Sequence, residues 1–375
     1  MSQSVTVIQV IEEARPRIRA WSSIMREKSW WPGADAWLSI LVHGAAALLL
    51  VMLASLVIVL LPAAQPSFKE FGWSFLVKSD WRPNEIERPK RGADGKVLIE
   101  DGQVAMETLP PQFGALPVIY GTAASSVLAL VFAVPVSLGS ALFLVRIAPR
   151  IGLAGPISFL IEFLAAIPSI AYGIWGLFVL APFLQNVIEP GAQHTLGHVP
   201  GLSWLFNETA RIGSTVVTRS MPLSGRDLLC GGLVLAIMIL PIITAVARDV
   251  LRAVPREQIE GTLALGATWW QSCKEMLRYG RAGLFGAIML GLARAAGETM
   301  AVAMVIGNNN RISPSPFSPA QTMSSLLANE FAEANGDLHR GALVEVALIL
   351  LVMSLTFNVV ARYLVVGKSS ALAGG

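Results

Sequence analysis

The stretch from Arg248 to Arg281 reads RDVLRAVPREQIEGTLALGATWWQSCKEMLRYGR; it is polar, basic and bounded on both sides by apolar runs. Those runs, Leu228–Ala247 before it and Gly283–Ile306 after it, are each near the roughly 20 residues needed to cross hydrocarbon. Four more runs of this kind lie further out, at Leu38–Leu61, Leu116–Val145, Pro156–Ala181 and Ala342–Val365. The expectation is an all-α polytopic membrane protein with six transmembrane helices. Pro135 and Pro168 fall inside the second and third runs and predict tilt or kinks, which neighbouring helices can tolerate by re-pairing freed carbonyls.

Composition agrees with a membrane solvent. Of the 375 residues, 54% are hydrophobic and 14% charged, against about 25% charged in an average soluble domain. The net charge of +3 is small, and the basic excess reads as topological; no nucleic-acid signature is present. Cys230 and Cys273 have no metal or redox spacing, and His43, His194, His198 and His339 form no ligand cluster, so no metal is assigned. The first apolar run begins too deep and runs too long for a secretory signal.

Arg and Lys near the span ends set the expected orientation. With the N-terminus inside, the inner segments hold Arg15, Arg17, Arg19, Arg26, Lys28, Arg146, Arg150, Arg248, Arg252, Arg256, Lys274, Arg278, Arg281, Arg362 and Lys368. Both termini are then cytosolic. The organisation that follows is a cytosolic arm over 1–37, a first helix over 38–61 and an external loop over 62–111. A core of five helices over 112–367 carries the cytosolic loop 248–282, and a tail covers 368–375. The 62–111 loop is rich in Pro, Gly and charge and is expected to be irregular, while 182–226 is expected to pack on the outer membrane surface.

Inside the cytosolic loop the local signals are specific. Pro255 suits a first helical turn, Arg256–Ala264 continues it, and Gly266 ends it in a left-handed conformation. Thr268 and Gln271 have capping-box spacing, which predicts a second helix to about Tyr279. Such a pair is either an interfacial amphipathic element anchored by Trp269 and Trp270 or a docking element for a cytosolic partner. In the second case Gly266, lacking Cβ, lets the turn enter a groove closely.

This segment resembles the coupling loop of ABC importer permeases, whose pattern is Glu-Ala-Ala, three residues, Gly, nine residues, Ile, one residue, Leu-Pro. Glu260-Gly261-Thr262 stands at the Glu-Ala-Ala position, Gly266 is in register, and Met276 falls on Ile, with Arg278 and Tyr279 in place of Leu-Pro. Further strings are similar to the C subunit of the phosphate-specific transport (Pst) system. They are FGALPVIYGT (Phe113–Thr122), EFLAAIPSIAYGIWGLFVLAP (Glu162–Pro182), ALGAT (Ala264–Thr268) and ARAAGETMAVAMVIGN (Ala293–Asn308).

The resemblance implies a type I, MetI-like permease architecture in a bacterial inner membrane and the import of inorganic phosphate. It implies a second, PstA-type permease subunit, two cytosolic PstB-type ATPase subunits and an external PstS-type phosphate-binding protein. The coupling residues would be Glu260, Gly261, Thr262, Ala264, Leu265, Gly266 and Ala267. The chain carries no G-x-x-x-x-G-K-[ST] string. It is therefore expected to bind no cofactor and to catalyse nothing itself, with ATP and Mg used by the partner subunits.

Charge within the apolar runs marks a candidate path. Arg294 lies near the middle of the fifth run, with Glu298 four residues on and on the same face, among Gly291, Ala293, Ala295, Ala296 and Gly297. The pair is either an internal brace or a site where a guanidinium fork meets phosphate oxygens and a carboxylate accepts from a protonated phosphate. Thr299, Ser169 and Tyr172 are further candidates beside it, the last two as cavity-facing groups after Pro168 or as packing hydrogen-bonders. Glu162 and Glu345 either line the path or pair elsewhere, and Asn308, Asn309 and Asn310 read as the outer stop of the fifth helix. Two other readings stay open: a permease for sulfate or molybdate, and a proton-coupled secondary transporter working through Glu298 or Glu162. An enzyme would need an interfacial cluster of Asp, His or Ser, which the sequence lacks.

Overall fold

The computed structural model describes residues 34–90, 99–100, 103–197, 199, 202–212, 215–220 and 223–369. Most of the expected cytosolic arm and the tail beyond residue 369 lie outside them. The chain divides into a unit up to Leu60 and a unit from Leu61 onward. Helix α1 (Ala34–Ala63) makes up the described part of the first, and it is apolar around its whole circumference, as a helix with lipid for solvent should be.

The second unit is a helical bundle. Its long members are α3 (Leu116–Arg146), α5 (Ser169–Leu196), α6 (Leu228–Arg252) and α12 (Asp337–Ser369), with α2 (Gln65–Phe71) and α4 (Ala154–Ala166) as shorter pieces. The central pair is α3 with α6. Ala129 and Ala133 of α3 and Leu235, Ile239 and Ile243 of α6 are buried in one cluster. Gly232 of α6 takes the side chain of Leu128 where a Cβ would come within 2.7 Å of it. Pro135 and Pro241 are carried inside these two continuous helices. Ser137 Oγ donates across to the Leu240 carbonyl at 3.1 Å, and Thr244 Oγ1 donates to the same carbonyl at 2.8 Å.

Five helices among the described residues are long and apolar enough to cross a membrane, and they differ from the expected six in two places. The run Pro156–Ala181 is not one helix. Pro168 disfavours helical geometry at Ile167, which is extended (φ −65°, ψ 129°), so α4 stops at Ala166 and α5 starts at Ser169 and continues to Leu196. Two π-helical turns, Gly176–Leu180 and Leu184–Ile188, lie within α5. The run Gly283–Ile306 is also broken, into α9 (Arg281–Ala296) and α10 (Met300–Val305).

The segments expected to be external and irregular are more ordered than their composition suggested. Strand β1 (Ile86–Pro89) pairs antiparallel with β4 (Met106–Leu109), and β2 (Ile99–Glu100) with β3 (Gln103–Val104). Before them, Phe71, Phe75 and Trp81 pack with Phe113, and Phe113 stacks on His339 at 5.3 Å. Glu330, at the end of α11 (Met323–Glu330), accepts from Trp81 Nε1 at 2.8 Å and lies 3.2 Å from His339 Nε2. Aromatic residues in the first part of the loop, ending at Trp81, anchor it against Phe113 and His339. Within 182–226, β5 (Asn207–Ile212) pairs antiparallel with β6 (Thr215–Ser220).

The string Phe113–Thr122 earns its composition at the start of α3. A Cβ on Gly114 would lie 2.2 Å from the Lys78 carbonyl oxygen, and one on Gly121 2.1 Å from that of Gln321. Thr122 Oγ1 donates to the Val118 carbonyl at 2.7 Å and accepts from the Met323 N–H at 2.9 Å, fixing α11 against α3. At the start of α6, Asp227 Oδ1 accepts from the Cys230 N–H at 2.8 Å. Asp227 and Glu189 are both fully buried there. Burial pushes the Asp227 carboxyl up to about 7; the Cys230 N–H pulls it down, and the adjacent charge of Glu189 pushes it further up.

Candidate substrate path and coupling loop

The Arg248–Arg281 loop folds as its caps require. Helix α7 (Arg256–Ala264) follows Pro255, which sits one position earlier than expected, at the N-cap. Gly266 has φ +84°, with nothing within 4 Å of where a Cβ would stand. Helix α8 (Trp269–Tyr279) opens on the complete capping box: the Gln271 N–H donates to Thr268 Oγ1 at 3.3 Å and the Thr268 N–H to Gln271 Oε1 at 2.7 Å. Cys273 and Met276 bury one face of α8 in the main core with Leu251 and Val254, and Ile259 of α7 packs against them. The opposite side is open: Trp270 is exposed along with Gln271, Lys274 and Arg278, and Leu265 beside Gly266 is 90% exposed. Glu260, Gly261, Ala264, Leu265 and Gly266 are thus grouped on one exposed turn, with Thr262 turned partly inward, its Oγ1 donating to the Ile259 carbonyl at 2.8 Å.

The second feature is the break between α9 and α10. Arg294 lies in the last turn of α9, where a cation complements the helix dipole. Its Nη2 is 3.3 Å from Glu298 Oε2; the arginine side chain is 48% exposed and the glutamate 4%. Non-helical backbone at membrane depth is tolerated where protein surrounds it or a cavity is lined by it. Here protein supplies partners. Ser324 Oγ of α11 donates to the Ala296 carbonyl, and Thr299 Oγ1 to the Gly297 carbonyl, both at 3.3 Å.

The two helix breaks are neighbours. Gly173 of α5 lies so close to α10 that a Cβ there would stand 2.8 Å from Met304 Sδ and 2.9 Å from Ala301 Cα. Ser169, one turn before Gly173, and Tyr172, next to it, therefore flank α10, although no hydrogen bond among the described residues joins them to Arg294, Glu298 or Thr299. The Tyr172 hydroxyl donates to the Leu164 carbonyl at 2.8 Å and closes the gap left at Pro168. Glu162 is held by Arg248, whose Nη1 lies 3.3 Å from its Oε1. Glu345 is buried beside Ser67 of α2. After α10, Gly307 (φ +91°) and Asn308 (φ +49°) turn the chain, with Asn308 Nδ2 donating to the Ala303 carbonyl at 2.7 Å.

Residues 147–368, more than half the chain, match the family described as binding-protein-dependent transport system inner membrane component. That match, with the bundle of apolar helices, defines the class: a multi-pass inner-membrane permease of ABC importer architecture. The phosphate transport system permease protein PstC of Mesorhizobium japonicum is 38% identical over 95% of this chain and 97% of its own length. That of Haemophilus influenzae is 40% identical over 85% of this chain and 89% of its own. The chain belongs to the PstC family of phosphate transport system permease proteins. Among solved structures, the MetNI methionine ABC transporter in an inward-facing conformation is similar at 16% identity and a TM-score of 0.46, covering 67% of this chain and 94% of that one.

Proposed function

We propose that the chain is the transmembrane permease subunit of an ATP-driven phosphate importer. The observation that carries this reading is the near full-length similarity to PstC proteins. The exposed Leu265–Gly266 turn between two capped helices, in the register of a coupling loop, supports it. In this reading the loop is cytosolic, as are both termini, and it docks on one of two PstB-type ATPase subunits. Those subunits bind ATP and Mg; this chain binds neither. A PstA-type permease completes the bundle, and a PstS-type protein delivers phosphate to the outer face.

The α9–α10 break would lie on the path. Arg294 presents free guanidinium donors to phosphate while Glu298 holds it in place, and Thr299 adds a hydroxyl at the same break. A carboxylate at this point accepts a hydrogen bond from a protonated phosphate and repels an unprotonated sulfate. Ser169 and Tyr172 would position α5 against α10 from the flank. Movement of the docked loop reaches α9 directly, because α8 runs into it through Gly280.

The test is uptake of radiolabelled phosphate by phosphate-starved cells with and without this chain, with excess sulfate as competitor. Loss of sulfate-insensitive uptake on deletion, restored by the wild-type chain, is the expected result. Unchanged phosphate uptake with other transporters removed, or loss of sulfate or molybdate uptake instead, would refute it.

A further inference from the structure

A cavity of about 670 Å³ lies on the side of the bundle that carries the coupling loop. Four arginines line it: Arg146 and Arg150 from the end of α3 and just beyond, Arg252 from the end of α6, and Arg256 from the first turn of α7. Glu260 is its one carboxylate. Its floor includes Leu251, Val254 and Met276, all buried.

The charges in this wall are unbalanced. Two other arginines on the same side have carboxylate partners: Arg248 has Glu162 and Asp249, and Arg278 has Glu275. None of the four cavity arginines forms an ion pair among the described residues. Arg146 Nε is buried without a hydrogen-bond partner, and Arg146 Nη2 reaches only Ser272 Oγ, at 3.5 Å. A guanidinium cannot lose its proton to relieve such crowding. Four fixed cations over an apolar floor, one with an idle buried N–H, make a site that calls for an anion. The planar donor fork of arginine matches the oxygens of a phosphoryl group, and Arg150, Arg252 and Arg256, all exposed, can be reached by such an anion from solvent.

We propose that this cavity binds a phosphoryl-bearing anion, either free phosphate or the headgroup of an anionic lipid, which ties α7 of the coupling loop to the ends of α3 and α6. The site is separate from the path at Arg294. It rests on the permease reading only for its assignment to the cytosolic face, since binding can be followed without transport.

The purified full chain in phosphatidylcholine nanodiscs, where both faces are accessible, allows hydrogen–deuterium exchange to be followed over residues 251–264. One arm adds inorganic phosphate; the other replaces part of the lipid with phosphatidylglycerol. Slower exchange with phosphate identifies a free-anion site, and slower exchange with phosphatidylglycerol alone identifies a lipid headgroup site; either supports the proposal. The double variant Arg252→Gln/Arg256→Gln alters two exposed side chains and keeps the fold, verified by its circular dichroism. It should weaken the protecting ligand about tenfold, and Arg146→Lys should weaken it less than Arg146→Gln. No protection in either arm, protection undiminished in the double variant, or protection only when the ATPase subunits are added would overturn the proposal, the last pointing to an acidic protein surface. Failure of phosphate uptake in cells would count against the permease reading and leave this binding result standing.

Discussion

The helix interruption at Gly266 and the one at Gly297 are stabilised in opposite ways. At Gly266 the turn is local: a left-handed glycine, a capping box one residue beyond Ala267, and open space around it. At Gly297 the backbone stays at φ −91° and Thr299 provides no side-chain cap for α10; the Arg294–Glu298 pair and the Thr299 hydroxyl span the gap, and Ser324 adds a bond from across the bundle. In the proposed reading, the first interruption would keep its shape while a docked partner pushes on it. The second depends on its neighbours and changes when they move. A coupling element should be of the first kind, and a substrate gate of the second.

That contrast can be broken at several points. Arg294→Ala should reduce phosphate uptake most, by about a hundredfold, the equivalent of one or two lost charge-assisted hydrogen bonds; normal uptake at normal protein abundance would remove Arg294 from the path. A third side-chain-dependent site, the buried cap at Asp227, sharpens the comparison through pH. Its carboxyl holds its proton up to about 7 when folded, against an ordinary value of 3.8, so its contribution to stability is greatest at acid pH. It is lost as pH rises from about 4 to about 7 and is flat above that. Between pH 5 and 8 the loss should be about 2 kcal/mol, read as a falling melting temperature, and Asp227→Asn should flatten the curve.

Gly266→Val should leave abundance near normal, because nothing crowds the site. The left-handed backbone then costs about 1–2 kcal/mol locally, and uptake should fall by about tenfold through weaker docking. The smallest effect is expected from Ser324→Ala, which strands the Ala296 carbonyl for about 1 kcal/mol of thermal stability. A larger loss from Ser324→Ala than from the Asp227 titration would mean that the α9–α10 break carries more of the fold's stability than its hydrogen bonds suggest.

The same contrast explains what the sequence disclosed. Caps and left-handed glycines are short-range signals, so α7, Gly266, the Thr268–Gln271 box and α8 could be read from the residues alone. The long apolar runs over α1, α3, α6 and α12 were equally plain. Pro168 alone predicts a kink or a stop, because its chain-local effect does not say whether a helix bends or ends. The π-turns that carry α5 on to Leu196 have no composition mark. The α9–α10 break has no proline at all. Gly297 gives a weak hint, but the Ser324 bond to the Ala296 carbonyl and the packing of Gly173 on α10 come from distant segments. The hairpins and aromatic cluster of 62–113 were hidden in the same way, since Trp81, Phe113 and His339 meet only in the folded chain. The four-arginine cavity was visible only as part of the positive-inside count.

The most direct test of the account is transport by the complete proposed complex, this chain with the proposed permease, ATPase and binding-protein subunits, reconstituted in liposomes. The account predicts phosphate accumulation that requires ATP, withstands excess sulfate and a proton ionophore, and is abolished by Arg294→Ala. Accumulation that proceeds without ATP and collapses with the ionophore would contradict it and make the chain a secondary transporter.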